Sequence, residues 1–200
     1  MKTLFIDTSY KFIHVYILNE YNVVCEKSLS VEKDMSNKIL PLIRSCFDDL
    51  QFSIKDINNL FVTIGPGSFT GLRVGLTFAK IVAYSLNVKL YPVSTLEYLA
   101  SISKKERKII SIIDARRGNV YAGYYDNELN LLHKEELISY ENINNINSFI
   151  VSFDGIYNSN ISNIDVVKLI KKHINDVPSD PKLLVPNYLK KTEAEEKLND

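Results

Sequence analysis

Apolar and polar positions change period along the chain in a regular order. Residues 3–6 are a short apolar run stopped by Asp7-Thr8-Ser9, a polar trio suited to a turn. Residues 12–18 alternate, with Ile13, Val15 and Ile17 on one face and His14 and Tyr16 on the other, the two-residue period of a strand. A third strand is expected over 23–29. The period then lengthens: Ile39, Leu42, Ile43, Cys46, Phe47 and Leu50 recur at helical spacing and predict a helix over 36–50, with Pro41 near its start. Residues 60–64 read as a strand and 65–71 as a loop. A helix follows over 72–86, or 70–86 with its lead-in turn, and then a strand over 88–93. Ser94 with Glu97 three residues on is a capping-box pattern, opening a helix to about Ser101.

The second half begins again. A charged stretch at 104–108 leads to an apolar run over 109–113 ended by Asp114, then a turn at 115–119 and a tyrosine-rich strand over 120–126. Ile6-Asp7-Thr8 is followed six residues after its aspartate by Ile13, which opens an alternating strand; Ile113-Asp114-Ala115 is followed six residues after its aspartate by Val120, which does the same. The two aspartates stand about half the chain apart. The pattern predicts a duplicated α/β unit, with one lobe over 1–103 and a shorter one over 104–200. Further on, 149–153 reads as a strand, 163–174 as a helix marked by Ile164, Val167, Ile170 and Ile174, and Pro178 and Pro181 break the chain ahead of an apolar stretch at 183–189. The tail from 190 is charged, the composition of a frayed end.

Composition narrows the class. Of 200 residues, 46% are hydrophobic and 24% charged, ordinary for a globular chain. Lys+Arg and Asp+Glu are 24 each, so the basic excess of a protein that grips nucleic acid unaided is absent. Cys25 and Cys46 are not a Cys-x-x-Cys pair and read as reduced core thiols. The N-terminal apolar run is too brief for a signal-peptide core, and no run approaches the ~18 apolar residues of a membrane span. The expected location is the cytoplasm, with no membrane partner.

Gly65-Pro66-Gly67-Ser68-Phe69-Thr70-Gly71-Leu72-Arg73-Val74-Gly75 joins a strand to a helix, the setting in which helix N–H groups capture phosphate. It matches neither the P-loop nor the dinucleotide fingerprint. Two uses remain: a phosphate cradle, or a tight turn whose glycines permit close packing. In the helix, Gly71, Gly75, Ala79 and Ala83 fall at steps of four on one face, where small side chains let another backbone approach. Its other faces carry Leu72, Leu76, Phe78, Ile81, Val82 and Leu86, so a second covering surface is expected, and another chain is the preferred candidate. Catalytic constellations are missing from the pattern. His14, His133 and His173 are isolated from one another, no Gly-x-Ser-x-Gly occurs, and neither a catalytic nor a metal site is expected. Asp7 and Asp114 either position a metal–phosphate or cap their own turns; Arg116-Arg117 either meets an anion or solvates a turn.

Two acid-ended strand turns half a chain apart suggest the actin-like (ASKHA) architecture of two ribonuclease-H-like lobes, mixed sheets flanked by helices. Within it, the run Ile64 to Gly75 resembles the signature of the TsaB (YeaZ) family of tRNA threonylcarbamoyladenosine biosynthesis subunits, relatives of the Kae1/TsaD (Gcp-like) family. Phe5-Ile6-Asp7-Thr8, Ile39-Leu40-Pro41, Val93-Ser94-Thr95-Leu96, Ile113-Asp114-Ala115-Arg116, Gly118-Asn119-Val120-Tyr121 and Pro186-Asn187-Tyr188-Leu189-Lys190 match in the family's order. The resemblance implies a non-catalytic accessory subunit that pairs with a TsaD/Kae1-type catalytic subunit, with a TsaE-type ATPase joining the pair, to modify tRNA beside the anticodon; tRNA is reached only through the complex.

The partner or homodimer interface would lie on the helices at 36–50 and 70–86, through Ile39, Leu42, Ile43, Phe47, Gly71, Leu72, Gly75, Leu76, Ala79 and Ala83. Gly75→Leu should then break pairing and leave the fold intact. No intrinsic cofactor is expected; ATP or ADP would sit in a site shared at the subunit junction, near Asp7, Thr8, Asp114 and Arg116. Met35 stands where many relatives have histidine, the second glycine loop is reduced to Asp154-Gly155, and the second lobe is short. The rival readings are an ATP-dependent phosphotransferase of the actin-like fold, which needs a second glycine-rich loop, and a metallopeptidase, which needs histidine ligands.

Overall fold

The structure, a computed structural model, describes residues 1–102, 108–143, 148–161 and 163–189. The charged stretch at 104–108, apart from its last residue, and the tail from 190 lie outside the described residues. Strands β1 (Lys2–Asp7), β2 (Phe12–Asn19) and β3 (Asn22–Ser30) form an antiparallel meander; helix α1 (Met35–Leu50) leads to β4 (Asn59–Gly65), α2 (Phe69–Leu86), β5 (Lys89–Ser94) and α3 (Thr95–Ala100). The sheet order is β3-β2-β1-β4-β5, with β1, β4 and β5 parallel.

The second half repeats the plan with β6 (Ile109–Arg116), β7 (Asn119–Tyr125), β8 (Leu131–Ser139), β9 (Phe149–Ser152) and β10 (Asn160–Ile161), followed by α4 (Val166–His173). Its order is β8-β7-β6-β9-β10, antiparallel then parallel, the first sheet over again. The repeat inferred from the spacing of two aspartates is therefore a repeat of topology. The helices do not repeat. Where the first lobe has α1 and α2, the second has short connections in which the described residues form only single 3-10 turns, at Tyr140–Asn142 and Ile156–Asn158.

Side-chain alternation explains the layers. Leu4 and Ile6 of β1, with Ile13, Val15 and Ile17 of β2, face α1 and α2 through Ile39, Ile43, Phe47, Leu76, Ala79 and Ala83. Phe5, between them, points to the opposite face, where Tyr16, Phe61 and Tyr91 meet α3 and the second lobe's Ile109, Ile113, Leu169 and Ile170. The first sheet, apart from its exposed edge strand β3, is thus covered on both faces, and α3, buried along its whole length, is the wedge between the lobes. After α4 the chain returns to the first lobe as an extended strap. Ser179 N–H donates to Leu90 O on the edge strand β5 (2.8 Å), and Asn187 N–H donates to Ile64 O at the end of β4 (2.7 Å). Lys80 Nζ reaches back from α2 to Leu184 O (2.9 Å).

Three expectations are adjusted. Helix α2 opens at Phe69, ahead of the predicted start, because Ser68 caps it by accepting the Gly71 N–H (3.2 Å). Helix α4 is shorter than 163–174, since Asp165 caps it at Lys168 N. Strand β8 was not visible in the pattern. Among the described residues no helix is long and apolar enough to cross a membrane.

Candidate functional site

The glycine turn is held against the first acidic turn. Ser68 N–H donates to Ser9 O (2.7 Å), and the Thr8 hydroxyl donates to Gly71 O (2.8 Å). A Cβ on Gly67 would fall on the Ser9 carbonyl oxygen, one on Gly71 on the Thr8 carbonyl oxygen, and one on Gly75 on the Thr8 hydroxyl. The glycines are therefore required by close approach of the chain to itself.

The aspartates perform the same local task in both lobes. Asp7 Oδ1 accepts the Ser9 N–H (3.0 Å) and the Thr63 hydroxyl (2.6 Å). Asp114 Oδ1 accepts the Arg116 N–H (2.8 Å), steadying a turn in which Arg116, Arg117 and Gly118 all take positive φ. Asp7 and Thr8 are fully buried, whereas Asp114 and Arg116 are exposed. Asp7 Oδ2 and Ser9 Oγ are buried with no hydrogen-bond partner among the described residues.

Between the lobes lies a cleft of about 880 Å³. One wall is Asp114, Ala115 and Arg116; the other is the lip of the glycine turn, Gly67 to Gly71, with Tyr10, Lys11 and the loop from Val31 to Met35. Of the four residues expected at a nucleotide site, Asp114 and Arg116 reach this cleft, and Asp7 and Thr8 do not: they lie beneath it, tied to Thr63 and Gly71. At its edge, Tyr10 stacks on Phe153 (centroids 5.0 Å apart) and donates its hydroxyl to Asp154 Oδ2 (2.5 Å), joining the lobes. Burial, then the Asp154 carboxylate, pushes the Tyr10 phenol above its ordinary pKa. Asp154, with Phe153, thus serves as a clasp, a role no sequence signal announced.

Most residues expected at an interface lie inside the lobe. Ile39, Ile43, Phe47, Gly71, Leu72, Gly75, Leu76, Ala79 and Ala83 are buried within their own lobe, and Leu42 is partly buried against the same core. The small-residue stripe marks a close approach, but the polypeptide that approaches at Gly71 and Gly75 is Thr8 of the same chain. What α1 and α2 offer outward is different: Leu40, Ile81 and Tyr84 are 58%, 60% and 65% exposed, next to Arg73 and Thr77. The strap adds Leu183 and Val185, also exposed, and Lys182 lies over the Tyr84 ring (5.0 Å).

Among the described residues no group of three His, Cys, Asp or Glu side chains could hold a metal ion. The histidines lie in separate settings: His14 bonds Tyr98 (2.9 Å), His133 lies exposed near Glu136 (3.6 Å), and His173 is bound between Glu97 and Asp176.

Two sheets of identical mixed order, facing each other across a cleft at their acidic turns, define the actin-like class of duplicated ribonuclease-H-like lobes. A family model described as TsaD, tRNA N6-adenosine threonylcarbamoyltransferase, matches residues 28–148. The chain is 37% identical over 144 residues to the tRNA threonylcarbamoyladenosine biosynthesis protein TsaB of Bacillus subtilis, covering 72% of this chain and 62% of that protein. It is 33% identical over 140 residues to the TsaB of Escherichia coli, covering 68% and 60%. YeaZ from Pseudomonas aeruginosa shares the fold at a TM-score of 0.79 and 20% identity, covering 94% of this chain and 99% of that one. The chain belongs to the TsaB (YeaZ) family, related to Kae1/TsaD. The match spans about three fifths of the length of these curated relatives.

Proposed function

We propose that this chain is a non-catalytic subunit of the machinery that makes N6-threonylcarbamoyladenosine beside the anticodon of tRNA, paired in the cytoplasm with a TsaD/Kae1-type catalytic subunit and joined by a TsaE-type ATPase. Family membership supports the pathway. One observation carries the accessory role: Asp7 and Thr8, which an actin-like enzyme would turn toward a substrate, are buried and bonded within the lobe. Asp7 Oδ1 binds Ser9 and Thr63, and Thr8 binds Gly71.

Partner contact is assigned to the outward surface of α1 and α2 at Leu40, Ile81 and Tyr84, in place of the buried stripe. The same surface pairs two copies when the partner is absent, since exposed apolar side chains gain by mutual cover. ATP or ADP at the subunit junction belongs to this proposal. Lys11, Lys33 and Arg116 at the cleft supply cations for a polyphosphate.

Co-expression with a TsaD-type subunit, followed by sizing, tests this reading. The wild-type chain should elute with the partner, and Ile81→Glu/Tyr84→Glu should elute alone with its unfolding midpoint unchanged. Co-elution of that variant would move the interface elsewhere. ATP turnover by the isolated chain, abolished in Asp114→Ala, would replace the accessory role with a phosphotransferase.

A further inference from the structure

The lobes are also joined away from the cleft residues, through a cluster of charges between α3 and α4. Glu97, 7% exposed, projects from the wedge helix α3, and its Oε1 receives Lys172 Nζ (2.6 Å) and His173 Nε2 (2.8 Å) from α4. The other ring nitrogen of His173, Nδ1, lies 2.6 Å from Asp176 Oδ2. Lys172 Nζ is shared with Leu129 O (2.6 Å). Sequence pattern assigns Glu97 to a capping box; in the fold Ser94 caps α3 alone, through Leu96 N and Glu97 N, and the glutamate turns to the other lobe.

The geometry fixes a protonation state. An ionised carboxylate only accepts, and a neutral imidazole has one donor nitrogen and one acceptor nitrogen. Both nitrogens of His173 face carboxylates, so both must carry hydrogen and the ring is an imidazolium. Removing one proton would set a nitrogen lone pair against a carboxylate oxygen.

We propose that protonated His173 is the pin of a pH-operated latch between the lobes: with its proton, α4 is fastened to α3 through Glu97, and without it α4 loosens. Beneath the latch lie Val166, Leu169 and Ile170, all buried, so its release opens α4 locally and leaves its apolar seat in place. The clasp of Tyr10 on Asp154 involves none of these groups and stays shut.

The other charged and titratable groups around the pin come from every neighbouring element. Asp126 and Glu128 of the β7–β8 turn act on Lys168 and Lys172 of α4. Glu135 of β8 is bonded to Tyr125 of β7 and to Ser94. Tyr91 of β5 donates to Ile174 O (3.2 Å).

Burial opposes charge on both partners of the pin, and their mutual bonds outweigh it. The His173 pKa is raised above its ordinary value by Glu97 and Asp176, and that of Glu97 is lowered by His173 and Lys172. Stability from His173 is then complete below the ordinary imidazole pKa and is lost as pH climbs through the raised one. Stability from Glu97 is present above the ordinary carboxylate pKa and is lost as pH falls through the lowered one. The latch holds between these limits.

The test uses the full chain. Imidazole proton resonances, assigned with His14→Gln and His133→Gln, should show His173 titrating above the ordinary imidazole value. Amide exchange at Leu169 and Ile170, corrected for intrinsic base catalysis, should accelerate as His173 deprotonates, by about tenfold for each unit of raised pKa. In His173→Gln this extra pH dependence should vanish, while α1 and α2 exchange as in wild type. Asp176→Asn, at an exposed position, should lower the His173 midpoint without disturbing the buried pair. His173 titrating at or below the ordinary imidazole value, or an unchanged exchange profile in His173→Gln, overturns the latch.

Discussion

The two lobes share a strand order, a direction pattern and an aspartate at the same turn, yet among the described residues only the first has long helices between its parallel strands. In both, the aspartate that ends the first strand holds the next turn by the same i to i+2 hydrogen bond. The helices are what distinguish the lobes in use. In the first lobe the turn is pressed under α2 and becomes core; in the second the same turn has no helix above it and remains at the cleft wall. One motif therefore supplies a buried anchor in one half and a solvent-facing rim in the other.

That contrast can be broken most forcefully at the helix contact. Gly75→Leu should destabilise the chain by about 3 kcal/mol or more in urea unfolding, because a side chain there must displace Thr8 in a packed interior. The smaller Gly75→Ala should be partly rescued by Thr8→Ala, which removes the atoms that collide, and a double-mutant cycle should show coupling of about 0.5–3 kcal/mol. Gly71→Ala should show no such rescue, since it meets backbone.

Next come the aspartates. Asp7→Ala strands the Ser9 N–H and the Thr63 hydroxyl in the interior and should cost about 2–3 kcal/mol, whereas Asp114→Ala in its exposed turn should cost less than about 1 kcal/mol. Equal losses would mean that burial by α2 is not what separates the lobes. Gly118→Ala, at φ +76° with open space around it, should cost about 1 kcal/mol of backbone strain, measured by the same unfolding curves.

Strand and helix periods carried most of the first lobe in the sequence, because its elements are long and its sheet has layers on both sides. Strand β8 was illegible for the opposite reason. It is an edge strand, and Leu131, Leu132, His133 and Lys134 at its start are all exposed, so no alternation marks a buried face. The strap was legible only as an apolar stretch, since its hydrogen bonds go to chain roughly a hundred residues away. The glycine stripe shows the limit most clearly. Spacing reveals that something must come close to Gly71 and Gly75; it cannot reveal that the visitor is Thr8, which belongs to the same lobe. At the cleft, Asp114 and Arg116 were visible in the pattern, but Tyr10, Phe153 and Asp154 were not, because a tyrosine in a turn carries no mark of the lobe it will meet.

The return of residues 179–188 to the first lobe bears on how the molecule comes to be made. A ribosome releases the N-terminal half first, but the free edge of β5 at Leu90 and the end of β4 at Ile64 obtain their last hydrogen bonds from Ser179 and Asn187. Phe69 and Arg73 of α2 likewise wait for Tyr188, whose ring stacks on the first (5.1 Å) and whose hydroxyl accepts from the second (3.3 Å). The first lobe is finished by residues translated about a hundred positions later, so it spends that interval with an open seam. A stop codon ahead of residue 179 would be felt in the half already translated.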